Sequence, residues 1–411
     1  MTSAISPGGR MQTVQQVIVV GAGPVGLMAA LRLAGFGIAV TVLEAELVFA
    51  DDLRASTFHP PTLDMLEVYG LAAPLIAQGL ISPQWQIRMH ESQERVVFDL
   101  GVLAQDTGHP YRLQCEQSRL VRLLAARIAD EPGVTLRMGC RVHAVDQDAD
   151  SVTARATTAD GEPLAVSGRL LIAADGARSQ VREHLRLSMP GETYPETTIL
   201  ATTTFPFERH LEGLSNVNYV WTRAGTFSLL RLPSLWRCSL YPDADESIEA
   251  ALLPEAIERK LQRIVPQDGT YEVMQCRPYR VRRKIVDDFR HGRVLLAGDA
   301  AHNNAPSGGM GMNGGIHDVF ALTAAIHAIG PGGNPAGLDV YNRSRRPIAA
   351  DEILLQAHVN RSRMQERDVG RRRESFEALK AVADDPDRLR THLLKSSMIT
   401  GLRRAEQLAS T

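Results

Sequence analysis

Val17-Ile-Val-Val-Gly21-Ala-Gly23-Pro24-Val-Gly26, continuing through an apolar stretch to Ile38-Ala-Val-Thr-Val-Leu-Glu44, decides the fold of this chain. Arg32 is the only charge between Val17 and Leu43, so length and hydropathy alone would suit a membrane span. The breakers argue otherwise. Gly21, Gly23, Pro24 and Gly26, then Gly35 and Gly37, cut the stretch into strand, turn, helix, turn and strand, the βαβ unit of a buried parallel sheet. The glycines differ in what they do physically. Gly21 makes the tight turn, Gly23 lets backbone N–H groups approach a pyrophosphate, and Gly26 permits close helix packing. Glu44 ends the next strand, where its carboxylate can accept hydrogen bonds from a ribose diol, as in FAD or NAD.

Two further strands end in carboxylates. Leu170-Leu-Ile-Ala-Ala-Asp175-Gly176-Ala-Arg178-Ser179 closes on an Asp-Gly turn, and Arg293-Val-Leu-Leu-Ala-Gly298-Asp299 closes on Gly-Asp. Open α/β sheets bind their ligands at this edge. After Asp299 comes Pro306-Ser-Gly-Gly-Met-Gly311-Met312-Asn313-Gly-Gly, read as a glycine-rich loop before a helix from about Gly314 to Ile329.

The rest of the chain frames these motifs. At 411 residues it has length for two or three domains, and 44% hydrophobic with 22% charged residues places it among globular proteins. Lys and Arg total 45 against 47 Asp and Glu, a net charge of -2, which argues against a nucleic-acid binder working by phosphate neutralisation. Four cysteines, Cys115, Cys140, Cys238 and Cys276, form no CxxC pair, so no disulfide framework or metal site is expected. The first sixteen residues lack the apolar core of a signal peptide, and a cytoplasmic protein without a membrane span is the expectation.

Ser56–Gly70 reads as a proline-initiated helix with a glycine stop, and Ser118–Ala129 as an amphipathic helix. Val134–Ala144 and Ser151–Thr158 read as paired strands, with a turn at Asp160 and Gly161. Between 190 and 283 threonines, aromatics and alternation indicate an antiparallel sheet inserted into the first fold. The arginines at 343, 345 and 346 and at 371–373 read as solvated faces of a helical tail. The fold class is therefore α/β, with a discontinuous Rossmann-like nucleotide domain (14–80, 105–182, 285–330), a substrate-binding β-sheet domain (81–104, 183–284) and a C-terminal helical region (331–411).

The three nucleotide motifs, in this order and at these separations, resemble the group A flavoprotein monooxygenases, single-component aromatic hydroxylases with the para-hydroxybenzoate hydroxylase fold. The resemblance covers roughly residues 15 to 330. It implies bound FAD, held by Gly21, Gly23, Pro24, Gly26, Glu44, Asp175, Gly176, Gly298 and Asp299, with Arg54 over the pyrophosphate and Gln114 at the ribityl chain. It also implies NADH or NADPH as a transient reductant, since no second GxGxxG is present, with Arg178 a candidate for its phosphate. The family reaction, hydroxylation by O2 through a flavin C4a-hydroperoxide, needs a dry pocket. Backbone N–H groups of Gly311, Met312 and Asn313 would stabilise the anionic reduced flavin. Pro306 would offer a carbonyl facing the reacting ring.

On this reading the substrate is a small phenol of hydroxybenzoate, hydroxypyridine or hydroxyquinoline type. Tyr219, Trp221 and Arg223 alternate along one strand and are expected to share a face lining its pocket, the arginine suiting a carboxylate. Arg231 and Arg237 compete for that role, His59 and His302 are candidate proton relays, and Trp85 reads as core packing. No metal is called for, and a monomer or homodimer is expected. Two alternatives stay open on motifs alone: a reductase or oxidase of the same superfamily acting on a non-aromatic substrate, and a non-catalytic flavin-binding protein.

Overall fold

The computed structural model describes residues 16–51 and 55–411. The chain opens with β1 (Gln16–Val20), α1 (Pro24–Gly35) and β2 (Ala39–Leu43), then runs through α2 (Pro60–Glu67) into the hairpin β3 (Gln84–Met89) and β4 (Arg95–Asp99). It returns by β5 (Arg112–Gln114) and α3 (Gln117–Ala129) to β6 (Val134–Arg137), β7 (Leu170–Ala173) and α4 (Gln180–His184). A longer excursion holds β8 (Gly191–Thr203), β9 (Val217–Thr222), β10 (Gly225–Arg231), β11 (Trp236–Leu240), α5 (Pro254–Gln262) and β12 (Val273–Ile285). The chain closes with β13 (Val294–Leu296), β14 (His302–Asn303), α6 (Met310–Ile329), α7 (Asp339–Ile348), α8 (Leu355–Gln365), α9 (Val369–Ala383), α10 (Pro386–Ser396) and α11 (Ile399–Ala409).

The first sheet has the order β13-β7-β1-β2-β6, all parallel, with Arg290–His291 as an antiparallel edge. Strand order reverses between β1 and β7, so the turns after these two strands flank the crevice where such sheets take ligands. Val17, Ile18, Val19, Leu171, Ile172 and their neighbours are buried on both faces, as a sheet covered by helices on each side requires. The expected pairing of 134–144 with 151–158 is split. Gly139, at φ +66°, breaks the run, so β6 joins the parallel sheet while Cys140–Gln147 pairs with Val152–Thr158 in a separate three-stranded sheet.

The second sheet, β14-β12-β8-β11-β10-β9-β3-β4, draws strands from both excursions. Its outer face packs on α5, where Ile199, Cys238, Leu240, Ile257 and Leu261 form a core. Its inner face is divided. Next to β3, β4 and β9 it is covered by the tail, with Trp85, Phe98 and Trp221 against Phe376, Leu379, Leu389 and Leu393. Two arginines expected on solvated faces are instead buried: Arg345 is 1% exposed in an ion network, and Arg372 donates to the carbonyls of Thr222 and Glu366. Burial follows from α7 lying against both α6 and α11 and from Arg372 standing on the inward stripe of α9 with Phe376 and Leu379, which a charge-counting reading does not register.

Candidate active site

Helix α1 packs onto its own turn. A Cβ at Gly26 would lie 1.9 Å from the Gly21 carbonyl oxygen, and one at Gly21, where φ is +99°, would lie 2.5 Å from the Ala174 oxygen. Gly23 differs: nothing lies within 4 Å of where its Cβ would stand, so this glycine serves an approach from outside. Pro24 opens the helix at its first turn, where a missing N–H costs nothing. Glu44 is tied beneath the turn, accepting from Ala22 N–H at 2.6 Å and Glu46 N–H at 2.9 Å, with lone pairs left on both oxygens.

The second and third motifs sit on the same edge. Asp175 accepts from Val181 N–H at 3.2 Å, while its Oδ1 is buried without a partner. Burial raises its pKa, opposed by hydrogen bonds from Ser179 and the backbone. Gly176, at φ +81°, has open space where its Cβ would be, and Arg178 is exposed. Gly298 turns at φ +58° and leaves Asp299 exposed beside it. Behind this turn lies a feature not read from the sequence. Asp318, on α6, accepts from Gly298 N–H at 3.1 Å, from His302 Nε2 at 2.7 Å and from Arg345 Nε at 2.9 Å. Burial opposes charge on Asp318, yet the His302 and Arg345 charges outweigh it and hold the carboxyl down to about 2. His302 is thus buried in this network, also stacked on Phe289, rather than facing a substrate. A lone acid in the apolar run GIHDVFALTAAI was the available signal.

Helix α6 begins at Met310, earlier than expected, so Gly311, Met312 and Asn313 form its first turn. Glycines are needed there because the helix grazes its neighbours: a Cβ at Gly315 would lie 2.6 Å from Val25 and one at Gly314 2.7 Å from Ile353. The N–H groups of Met310, Gly311 and Met312 have no acceptor within the helix, whereas that of Asn313 meets the Gly309 carbonyl in an ideal first turn. The Asn313 side chain braces the site instead, accepting from His59 N–H and donating to the Thr57 and Gly309 carbonyls. The Pro306 carbonyl accepts from Gly309 N–H at 3.0 Å and closes the turn that starts the helix.

His59 is fully buried and donates from Nε2 to the Gly308 carbonyl at 2.7 Å, which fixes its tautomer and leaves Nδ1 an unpartnered acceptor. Burial, and then the charge of Arg112, push its pKa down to about 3, so the ring is neutral at physiological pH. Gln114, on β5, accepts from Thr57 Oγ1 at 3.0 Å while its buried Nε2 has no partner. Arg54 lies outside the described residues.

The open face of Gly23, the orphaned Gln114 Nε2 and Asp175 Oδ1, and the free N–H groups opening α6 line one crevice edge and suit a dinucleotide with a flat ring. Residues 14–354 match the family described as FAD binding domain. The chain belongs to the group A flavoprotein monooxygenases. It is an FAD-dependent monooxygenase. Para-nitrophenol 4-monooxygenase from Pseudomonas sp. strain WBC-3 is 34% identical over 403 residues, covering 97% of this chain and 99% of that protein. A 6-hydroxy-3-succinoylpyridine 3-monooxygenase from Pseudomonas putida strain S16 is 33% identical, covering 89% and 98%. The crystal structure of p-nitrophenol 4-monooxygenase from Pseudomonas putida DLL-E4 superposes with a TM-score of 0.87 at 31% identity, covering 95% and 99%.

In this monooxygenase the residues expected to line the substrate pocket part company. Strand β9 ends at Thr222, so Arg223 opens the hairpin turn, is exposed, and gives its backbone N–H to Glu91; it does not share the face of Tyr219. Trp221 is 1% exposed, donating from Nε1 to the Arg363 carbonyl under the helical tail. Tyr219 remains half-buried on the inner face, with its hydroxyl near the Arg112 guanidinium. Arg231 pairs with Glu208 at 3.0 Å, and Arg237, on β11 of the second sheet, reaches Ser56 Oγ ahead of α2 at 3.2 Å. Trp85 stacks on Phe98 at 4.0 Å.

Proposed function

We propose that this monooxygenase hydroxylates a small phenol or hydroxypyridine at the expense of NADH or NADPH and O2. The observation that carries the reading is near full-length similarity to two enzymes named for p-nitrophenol and for a hydroxypyridine. Bound FAD would supply the relay of two electrons from nicotinamide to oxygen. The chain would supply the setting. Gly21, Gly23, Gly26 and Glu44 would hold the adenosine half, Asp299 and Gln114 the ribityl chain, and Asp175 with Gly176 the neighbouring edge. N–H groups of Met310, Gly311 and Met312 would present partial positive charge to the flat ring, which would favour an anionic form. The inner face between β5 and β9, walled by Trp85 and Tyr219 and roofed by the tail, would exclude water around the aromatic substrate. Neutral His59, with Nδ1 open as an acceptor, suits a hydrogen bond from a substrate hydroxyl. A cytoplasmic monomer or homodimer goes with this reading; among the described residues no helix is long and apolar enough to cross a membrane.

The test is oxidation of NADH and NADPH by the purified protein with hydroxybenzoates, nitrophenols, hydroxypyridines and hydroxyquinolines, hydrogen peroxide being recorded alongside. Many-fold stimulation by one aromatic with little peroxide is expected. A yellow protein that no aromatic stimulates would overturn the reading.

A further inference from the structure

Strand β5 carries a charge that the FAD-holding residues do not use. Arg112 is 3% exposed, its Nε–H has no hydrogen-bond partner, and no carboxylate pairs with it among the described residues. Its guanidinium stands near the Tyr219 hydroxyl and lies 5.2 Å from the centre of the Trp85 ring. Burial lowers the pKa of His59 on one side and of His392 of α10 on the other, and cationic charge lowers both further, that of Arg112 at His59 and those of Arg363 and then Arg112 at His392. Trp85 Nε1, His59 Nδ1 and His392 Nε2 are likewise buried without partners. Buried polar groups are ordinarily satisfied, and a buried cation without an anion is costly to keep. Orphaned polar atoms on four neighbouring side chains, between aromatic walls, describe a site shaped for something absent from the chain itself. Arg112 stands two residues from Gln114 on the same strand face, and His59, within reach of its charge, bonds the Gly308 carbonyl before α6, so the site borders the edge that would hold the flavin.

We propose that Arg112 anchors an oxyanion borne by the aromatic substrate, a carboxylate or a phenolate, and so selects anionic ring substrates over neutral ones. The inference rests on the hydroxylase reading above. Arg112 fills the role that Arg223, turned to solvent, does not. A planar guanidinium with an open Nε edge suits a two-oxygen anion, and the Trp85 indole N–H adds a neutral donor beside it.

The test uses the full-length protein with FAD bound and reads dissociation constants from the perturbed flavin absorbance at pH 8. The ligands come in pairs, 4-hydroxybenzoate with 4-hydroxybenzamide for the carboxylate, and 4-nitrophenol with 4-nitroanisole for the phenolate. In at least one pair the anion is expected to bind tenfold or more tighter, and that pair identifies the oxyanion. Arg112→Met should bring that ratio close to one while FAD content and melting temperature hold. Arg112→Lys, which keeps the charge but loses the fork, should weaken the anion alone, and it decides the matter if the methionine variant does not fold. Equal affinities within both pairs, or a ratio unchanged by both substitutions, would overturn the assignment; phenols that still accelerate NAD(P)H oxidation would then leave the hydroxylase reading intact. If no phenol binds or stimulates the wild type, that reading falls and the Arg112 assignment falls with it.

Discussion

A methyl group added at Gly23 would meet nothing within 4 Å, while one added at Gly26 would meet a carbonyl oxygen at 1.9 Å. The same substitution should therefore read out two different things within one motif. Gly23→Ala is expected to fold with a denaturation midpoint close to wild type, yet to emerge from gel filtration depleted of FAD, because the new methyl stands where a phosphate must approach. Gly26→Ala must push α1 off its turn and should cost about 2 kcal/mol or more, seen in urea unfolding even without cofactor. Equal stability of the two variants would show that the turn is not the packing joint described. These glycines were legible because each motif is local and its spacing is its chemistry. Arg112 was not: nothing in YRLQC says that its neighbours will be Trp85, 27 residues earlier, and Tyr219 and His392, 107 and 280 residues later. A charge set between Tyr111 and Leu113 was the one hint.

Helix α6 presents its N-terminus to the crevice and, two turns on, Asp318 to the back of the Gly298 turn. The sequence suggested the helix but set its start four residues late, since five glycines within eight positions, 308 to 315, look like a loop until the close neighbours are known. Removing the Asp318 charge while keeping its shape leaves Arg345 buried and unpaired. Asp318→Asn should cost roughly 3–5 kcal/mol and loosen the segment that carries Asp299, so the variant should also lose FAD more readily on dialysis. A variant of wild-type stability and cofactor retention would mean that the network is dispensable. Strand β9 shows the reverse limit of pattern reading: alternation correctly placed Tyr219 and Trp221 on one face, but where the strand would stop, and what would cover each half of that face, depended on a tail 142 residues away.

Across the molecule, several buried histidines are neutral. His59 is held at about 3 and His392 at about 4, mainly by burial, with His317 also pushed well down. In the unfolded chain each takes its proton near pH ~6.5. The folded protein binds fewer protons below that pH, so stability is full above about pH 7 and falls as acid is added, by up to ~1.4 kcal/mol per pH unit for each histidine. Urea midpoints measured from pH 7.5 to 5 should drop accordingly, and a flat profile would contradict the burial of these rings. The overall plan was readable because the nucleotide motifs announce one sheet and the threonine-rich alternation another; how the two sheets are joined was not. Strands β8 and β12, 13 residues each, connect to the nucleotide sheet after α4 and before β13, run side by side through the second sheet and stay hydrogen-bonded along most of their length. The halves are therefore connected by a ribbon and not by a hinge of loose chain. Such a ribbon twists readily but resists stretch and shear, so any breathing of the crevice is a rotation that keeps its floor in register, and a ligand can enter or leave without the catalytic parts having to find one another again.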